Sequence, residues 1–113
     1  MHESTIDVTC VRIKLPEPWE PRRILAYVRV EINGCIAVGD IKLVQRADGR
    51  AVIDWPKATD RTGRTRCVAH ATNRAAHATI EMAVLLAYRE ALDAGERLCW
   101  ITPRVESGVR HAV

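Results

Sequence analysis

A chain of 113 residues with 48% apolar and 27% charged side chains fits one globular domain and excludes a disordered polymer. No apolar run approaches the roughly 20 residues needed to cross a bilayer, and the polar start MHESTIDVTC reads as no signal peptide, so a cytoplasmic protein with no membrane partner is expected. The net charge of +3 is small but unevenly spread: Lys42 to Arg74 holds eight Lys or Arg against three acids, +5, while the rest of the chain sums to −2.

There is no Phe, so the core must come from Ile, Val, Leu and Ala with three Trp and two Tyr. Cys10, Cys35, Cys67 and Cys99 are scattered without close pairs, which reads as free and mainly buried thiols in a reducing compartment.

Residues 6–15, IDVTCVRIKL, end with Val11, Ile13 and Leu15 alternating with Arg12 and Lys14, the pattern of a strand with one wet face. Pro16, Pro18 and Pro21 remove ladder donors and predict an exposed extended loop. Trp19 within it is expected to fold back onto the core, because exposed aromatics are few on stable monomers.

ILAYVRVEI (24–32) and CIAVGDIKLV (35–44) flank Asn33-Gly34, whose readiness for positive φ predicts a hairpin closed by a two-residue turn. Such a loop sets Ile32 opposite Cys35, Val30 opposite Ala37, Val28 opposite Gly39 and Ala26 opposite Ile41. The core face then reads Ile24, Ala26, Val28, Val30, Ile32, Cys35, Ala37, Ile41 and Leu43. The other face, Leu25, Tyr27, Arg29, Glu31, Ile36, Val38, Asp40 and Lys42, is mixed, as in faces that meet another chain or a C-terminal segment.

Ala47-Asp48-Gly49 marks a turn, and AVIDW (51–55) a fourth strand stopped by Pro56. KATDRTGR (57–64) reads as a polar loop with Gly63 at its tip, and TRCVAH (65–70) as a short fifth strand. Thr72 or Asn73 is the cap of a helix over 74–94, with Ala76, Ile80, Val84, Ala87, Tyr88 and Ala91 recurring at three and four residues. Leu85 and Leu92 widen that stripe, and Gly95 is a natural stop. LCWIT (98–102) is expected to dock, and Pro103 onward reads as a fraying tail. Five short strands before one long helix predict an α+β fold: an antiparallel meander over 1–95 with the helix on one face, then a short segment, 96–113.

The basic segment is the best candidate for chemistry. Arginine's fork suits bidentate phosphate contact. Arg50, Lys57, Arg61, Arg64, Arg66 and Arg74 are therefore candidate nucleic-acid contacts, with Asn73 at a helix N-terminus able to attract an anion. The plainer alternative is a solvated loop whose charges pair with Asp48, Asp54 and Asp60. Trp55 at a strand end reads as core rather than as a stacking platform. Cys67 and His70 offer two ligand types with no second pair, so no metal site is expected, and three apart on a strand they point to opposite faces, which defeats a nucleophile–base pair. His70 reads instead as a buried residue steadying the strand-to-helix junction. Asp40 and Asp54 lie on neighbouring strands without a fixed separation, and neither catalysis nor a cofactor is expected.

VRI near the start, the hairpin into VGDIKLV, VIDWP, a basic loop and CVAHATN leading into AVLLAYREAL resemble the stage V sporulation protein G family of bacterial septation regulators. The similarity covers about residues 8–92, with Asp40-Ile41-Lys42 and Ala69-His70 its most specific parts. The resemblance implies a homodimeric DNA- and RNA-binding regulator of gene expression, linked to sporulation and cell division, built on a meander sheet with a packed helix. The proline-rich insert at 16–21, Asp54-Trp55 before Pro56, and Ala71 after the Ala-His pair depart from the family pattern. A protein-interaction module for acidic partners, acting through Trp19 and the mixed hairpin face, is the alternative.

Overall fold

A computed structural model describes residues 6–95 and the backbone of residues 98–101. The strands are β1 (Val8–Lys14), β2 (Ile24–Ile32), β3 (Ile36–Gln45), β4 (Ala51–Asp54), β5 (Lys57–Thr59) and β6 (Thr65–Cys67), followed by α1 (Arg74–Ala94) and β7 (Leu98–Ile101). An antiparallel sheet in the order β4-β3-β2-β1-β7 carries α1, and β5 with β6 forms a separate two-stranded ribbon. The fold is α+β, as the order of strands and helix predicts.

Period-two alternation supplies the sheet's inner face. Val11, Ile13, Ala26, Val28, Val30, Ile41 and Leu43 are buried beneath the helix stripe Ile80, Ala83, Val84, Ala87 and Ala91. Fully burying one such branched side chain contributes about 1.5–3 kcal/mol. The alanines at 83, 87 and 91 let the helix axis approach the sheet closely. Leu92 lies off the stripe and is exposed, contrary to expectation.

Both helix ends follow from sequence. Asn73 is extended and its Oδ1 accepts from the Ala76 amide at 2.8 Å, while Gly95 adopts the left-handed φ of 72° and donates to the Ala91 and Leu92 carbonyls. Asn73→Ala is expected to cost about 1 kcal/mol, read as a lower unfolding midpoint in urea.

The hairpin register differs from the expected one. Asn33 and Gly34 do take positive φ, 56° and 68°, but Cys35 joins the turn, so Ile32 pairs with Ile36 and Val30 with Val38. A bulge then spends Gly39 and Asp40 opposite Arg29, with Asp40 left-handed at φ 58°, and pairing resumes at Val28 with Ile41. Cys35 and Ala37 therefore stand exposed instead of in the core, and Val38 packs against the core instead.

Two further expectations fail for local reasons. Trp19 is 79% exposed, because the Glu20 amide bonds Glu17 O and the Ile24 amide bonds Pro21 O, folding the proline segment into tight turns beside the sheet. The thiols are not mainly buried: Cys10 is half-buried and Cys35 and Cys67 are exposed. Burial, and then the nearby Glu31 carboxylate, raise the Cys10 pKa above its ordinary value. The side chain of Cys99 and the tail beyond residue 101 lie outside the described residues.

The docking expected of residues 98–102 takes the form of strand addition, with β7 pairing antiparallel along β1 from Val11 with Ile101 to Lys14 with Leu98. Among the described residues no helix is long and apolar enough to cross a membrane.

Candidate nucleic-acid interface

The expected polar loop, 57–64, supplies β5 and a tight tip, and the expected fifth strand supplies β6, which pairs with β5 in a ribbon rather than joining the sheet. Lys57 pairs with Cys67, Ala58 with Arg66 and Thr59 with Thr65, and all six residues are exposed. Such a ribbon needs no buried face, so it shows no apolar alternation to betray it. β6 ends at Cys67 rather than residue 70. At its base the Val68 amide bonds Pro56 O at 2.8 Å, and midway the Thr59 and Thr65 hydroxyls lie 3.2 Å apart.

Asp60 organises the tip. One carboxylate oxygen accepts from the Thr62 amide at 2.9 Å, the Thr62 hydroxyl at 2.6 Å and the Arg64 amide at 3.0 Å, while Gly63 takes a φ of 88°. The Thr62 hydroxyl bond, followed by the Arg64 amide, holds the Asp60 pKa below its ordinary value. A carboxylate lowered in this way supports the folded tip fully above about pH 4, and the support is lost as pH falls through its folded value. Acidification below about pH 4 is therefore expected to shift the Thr62 and Arg64 amide resonances and lower their protection relative to the intrinsic exchange rate at that pH, and Asp60→Ala to do the same at neutral pH.

The ribbon gathers four of the candidate contacts. Lys57 and Arg66 stand on its strands, and Arg61 and Arg64 in its tip, all exposed. Lys57 Nζ also meets Asp54 Oδ1 at 2.6 Å, and this bond raises the lysine's pKa. Trp55, just before the ribbon, packs against the core as expected and sets its ring 6.0 Å from that of His77 in α1. The ribbon base therefore adjoins the helix N-terminus with Asn73 and exposed Arg74. Arg50 is not part of this group. It sits in the β3–β4 turn, its amide bonded to Asp48 Oδ1, with the four residues of β4, about 13 Å of strand, between it and the ribbon. His70 is exposed rather than buried, its Nδ1 3.0 Å from the Ala71 carbonyl.

A second group of charged residues was not legible as one. On the sheet face away from α1, Lys14 pairs with Tyr27, Tyr27 with Lys42 and Lys42 with Asp54, while Arg12 stands directly opposite Arg29. Two adjoining open hollows of about 330 and 350 Å³ lie along this face and share Tyr27 and Asp40 as lining. Only the strand register brings these cations together, since they are dispersed over three strands in sequence.

A helix-backed antiparallel sheet with a projecting basic ribbon defines a small α+β domain with no closed pocket among its described residues. The family model for SpoVG matches residues 6–90. A protein assigned as septation protein SpoVG in Bdellovibrio bacteriovorus is 33% identical over 82 residues, covering 72% of this chain and 75% of the relative. One of the same assignment in Desulforudis audaxviator is 36% identical over 91 residues, covering 80% of this chain and 99% of the relative. The chain belongs to the SpoVG family.

Proposed function

We propose that this SpoVG family member is a nucleic-acid-binding regulator, active in septation or sporulation control, that contacts phosphates through its ribbon and the adjoining helix N-terminus. The observation that carries this reading is the ribbon itself. A two-stranded hairpin outside the sheet adds little to stability, yet it holds Lys57, Arg61, Arg64 and Arg66 exposed around a tip ordered by Asp60. A β-ribbon is one of the elements that a major groove admits. Met82 and Leu86, one turn apart and exposed on α1, favour a homodimer as the working form, which light scattering at micromolar concentration tests.

The direct test is fluorescence polarisation with mixed-sequence DNA and RNA at about 50 mM salt, where phosphate contacts count most. Reversing Arg61, Arg64 and Arg66 to glutamate should weaken binding uniformly across sequences. Absence of any binding at that salt would remove the reading. The exposed Trp19 favours a second reading, a protein-interaction module for acidic partners, in which a partner complex survives nuclease and is lost with Trp19→Ala.

A further inference from the structure

We infer that the helix-free face of the sheet is a second nucleic-acid subsite, selective for a single strand that stacks a base on Tyr27. This rests on the nucleic-acid reading above but concerns a different surface and a different form of the ligand.

The first observation is where the strand register puts the cations. Arg12 and Arg29 are directly opposed across β1 and β2, so two guanidinium groups, each able to meet a phosphate, belong to one end of this face. The second is composition by row. Lys14, Tyr27 and Lys42 are consecutive cross-strand neighbours, so an aromatic ring stands between two ammonium groups, at the strand spacing of about 4.8 Å on each side. Single-strand binders combine these two elements: a cationic track for the backbone and an aromatic face for a base.

The shape agrees. The two hollows meet at Tyr27 and run from Arg12 and Arg29 to Lys57 at the foot of the ribbon, an open channel rather than a closed pocket. The Gly39–Asp40 bulge borders it and removes a side chain at Gly39, leaving the backbone uncovered beside the ring. The Glu20 side chain near Tyr27 raises the pKa of its hydroxyl. A paired duplex hides its bases from such a flat face, and a single strand does not.

The test is polarisation of a labelled single-stranded 12-mer, as RNA and as DNA of the same sequence, beside the DNA duplex of that sequence. Tyr27→Leu should lower single-strand affinity by about 5- to 150-fold, the range that one stacked base supplies, with duplex affinity unchanged. Tyr27→Phe, which keeps the ring, should retain single-strand binding. Arg12→Gln with Arg29→Gln should make the log–log salt slope on the single strand shallower by about 1.4. Loss on either RNA or DNA supports the subsite. If Tyr27→Leu and the double arginine change leave single-strand binding intact while charge reversal on the ribbon abolishes it, the inference fails and the proposed function stands. A wild-type protein that binds none of the three probes overturns both. A change in mass by light scattering in these variants assigns the face to contact between copies and overturns the subsite alone.

Discussion

Replacing Leu43 with alanine is expected to destabilise the domain by about 2–5 kcal/mol, a large share of the roughly 5–15 kcal/mol that holds a native domain together. Leu43 is fully buried, paired with Ala26 on one side and Ile53 on the other, under the helix. Removing its isobutyl group forfeits the transfer energy and leaves a cavity that two flanking strands prevent from collapsing. The urea midpoint should fall with little change in slope. Cys35→Ser is the paired control. In a regular two-residue hairpin, Cys35 would share the core face with Leu43, whereas in the observed register it is an exposed turn residue whose substitution should stay within about 0.5 kcal/mol. Comparable losses at both positions would restore the regular register and remove the bulge.

The salt dependence of duplex binding should separate the ribbon from general surface charge. If Lys57, Arg61, Arg64 and Arg66 each neutralise one phosphate, affinity falls with a log–log slope of about −3.6. If Lys57 stays with Asp54, three contacts remain and the slope is about −2.7. Between 50 and 200 mM salt these slopes correspond to losses of about 150-fold and about 40-fold. Substituting glutamine at 61, 64 and 66 should bring the slope to about −0.9 or shallower. A slope unmoved by those substitutions would place the contacts elsewhere on the protein. Asp54→Asn should then steepen the wild-type slope if the Lys57 pair is what withholds the fourth contact.

The helix was legible to within one residue at its cap, Thr72 or Asn73, and at its stop, because Asn73 and Gly95 satisfy backbone groups through chemistry specific to their types and independent of the rest of the fold. The hairpin turn was legible for the same reason, but its register was not. The sequence does hold a clue: apolar residues occupy 36 and 38, then 41 and 43, a phase change across Gly39-Asp40 that a bulge absorbs. Of the ribbon, the strand at 65–67 was legible, but β5 and its pairing were not, because an exposed two-stranded element has no apolar period to reveal it. The candidate cations at 57, 61, 64 and 66 were found through local charge density, and they do converge. Arg50 satisfied the same charge criterion and is separated by β4, since density along the chain says nothing of direction in space. Arg12, Lys14 and Arg29 failed it and Lys42 only opens the dense segment, each being an ordinary wet-face residue until the register sets them side by side.

The addition of β7 to β1 bears on how the chain is made. β1 is near the start of the chain, yet its two neighbours are β2 and a strand reached only after the helix; Val11 and Ile101 are 90 positions apart. During synthesis, at about 5–20 residues per second, β1 can join β2 early but must wait several seconds with its other edge uncovered. That edge is a template for pairing with a neighbouring nascent chain. Shortening the chain before Leu98 makes the delay permanent, so a version ending at Gly95 should form larger assemblies than the full chain does.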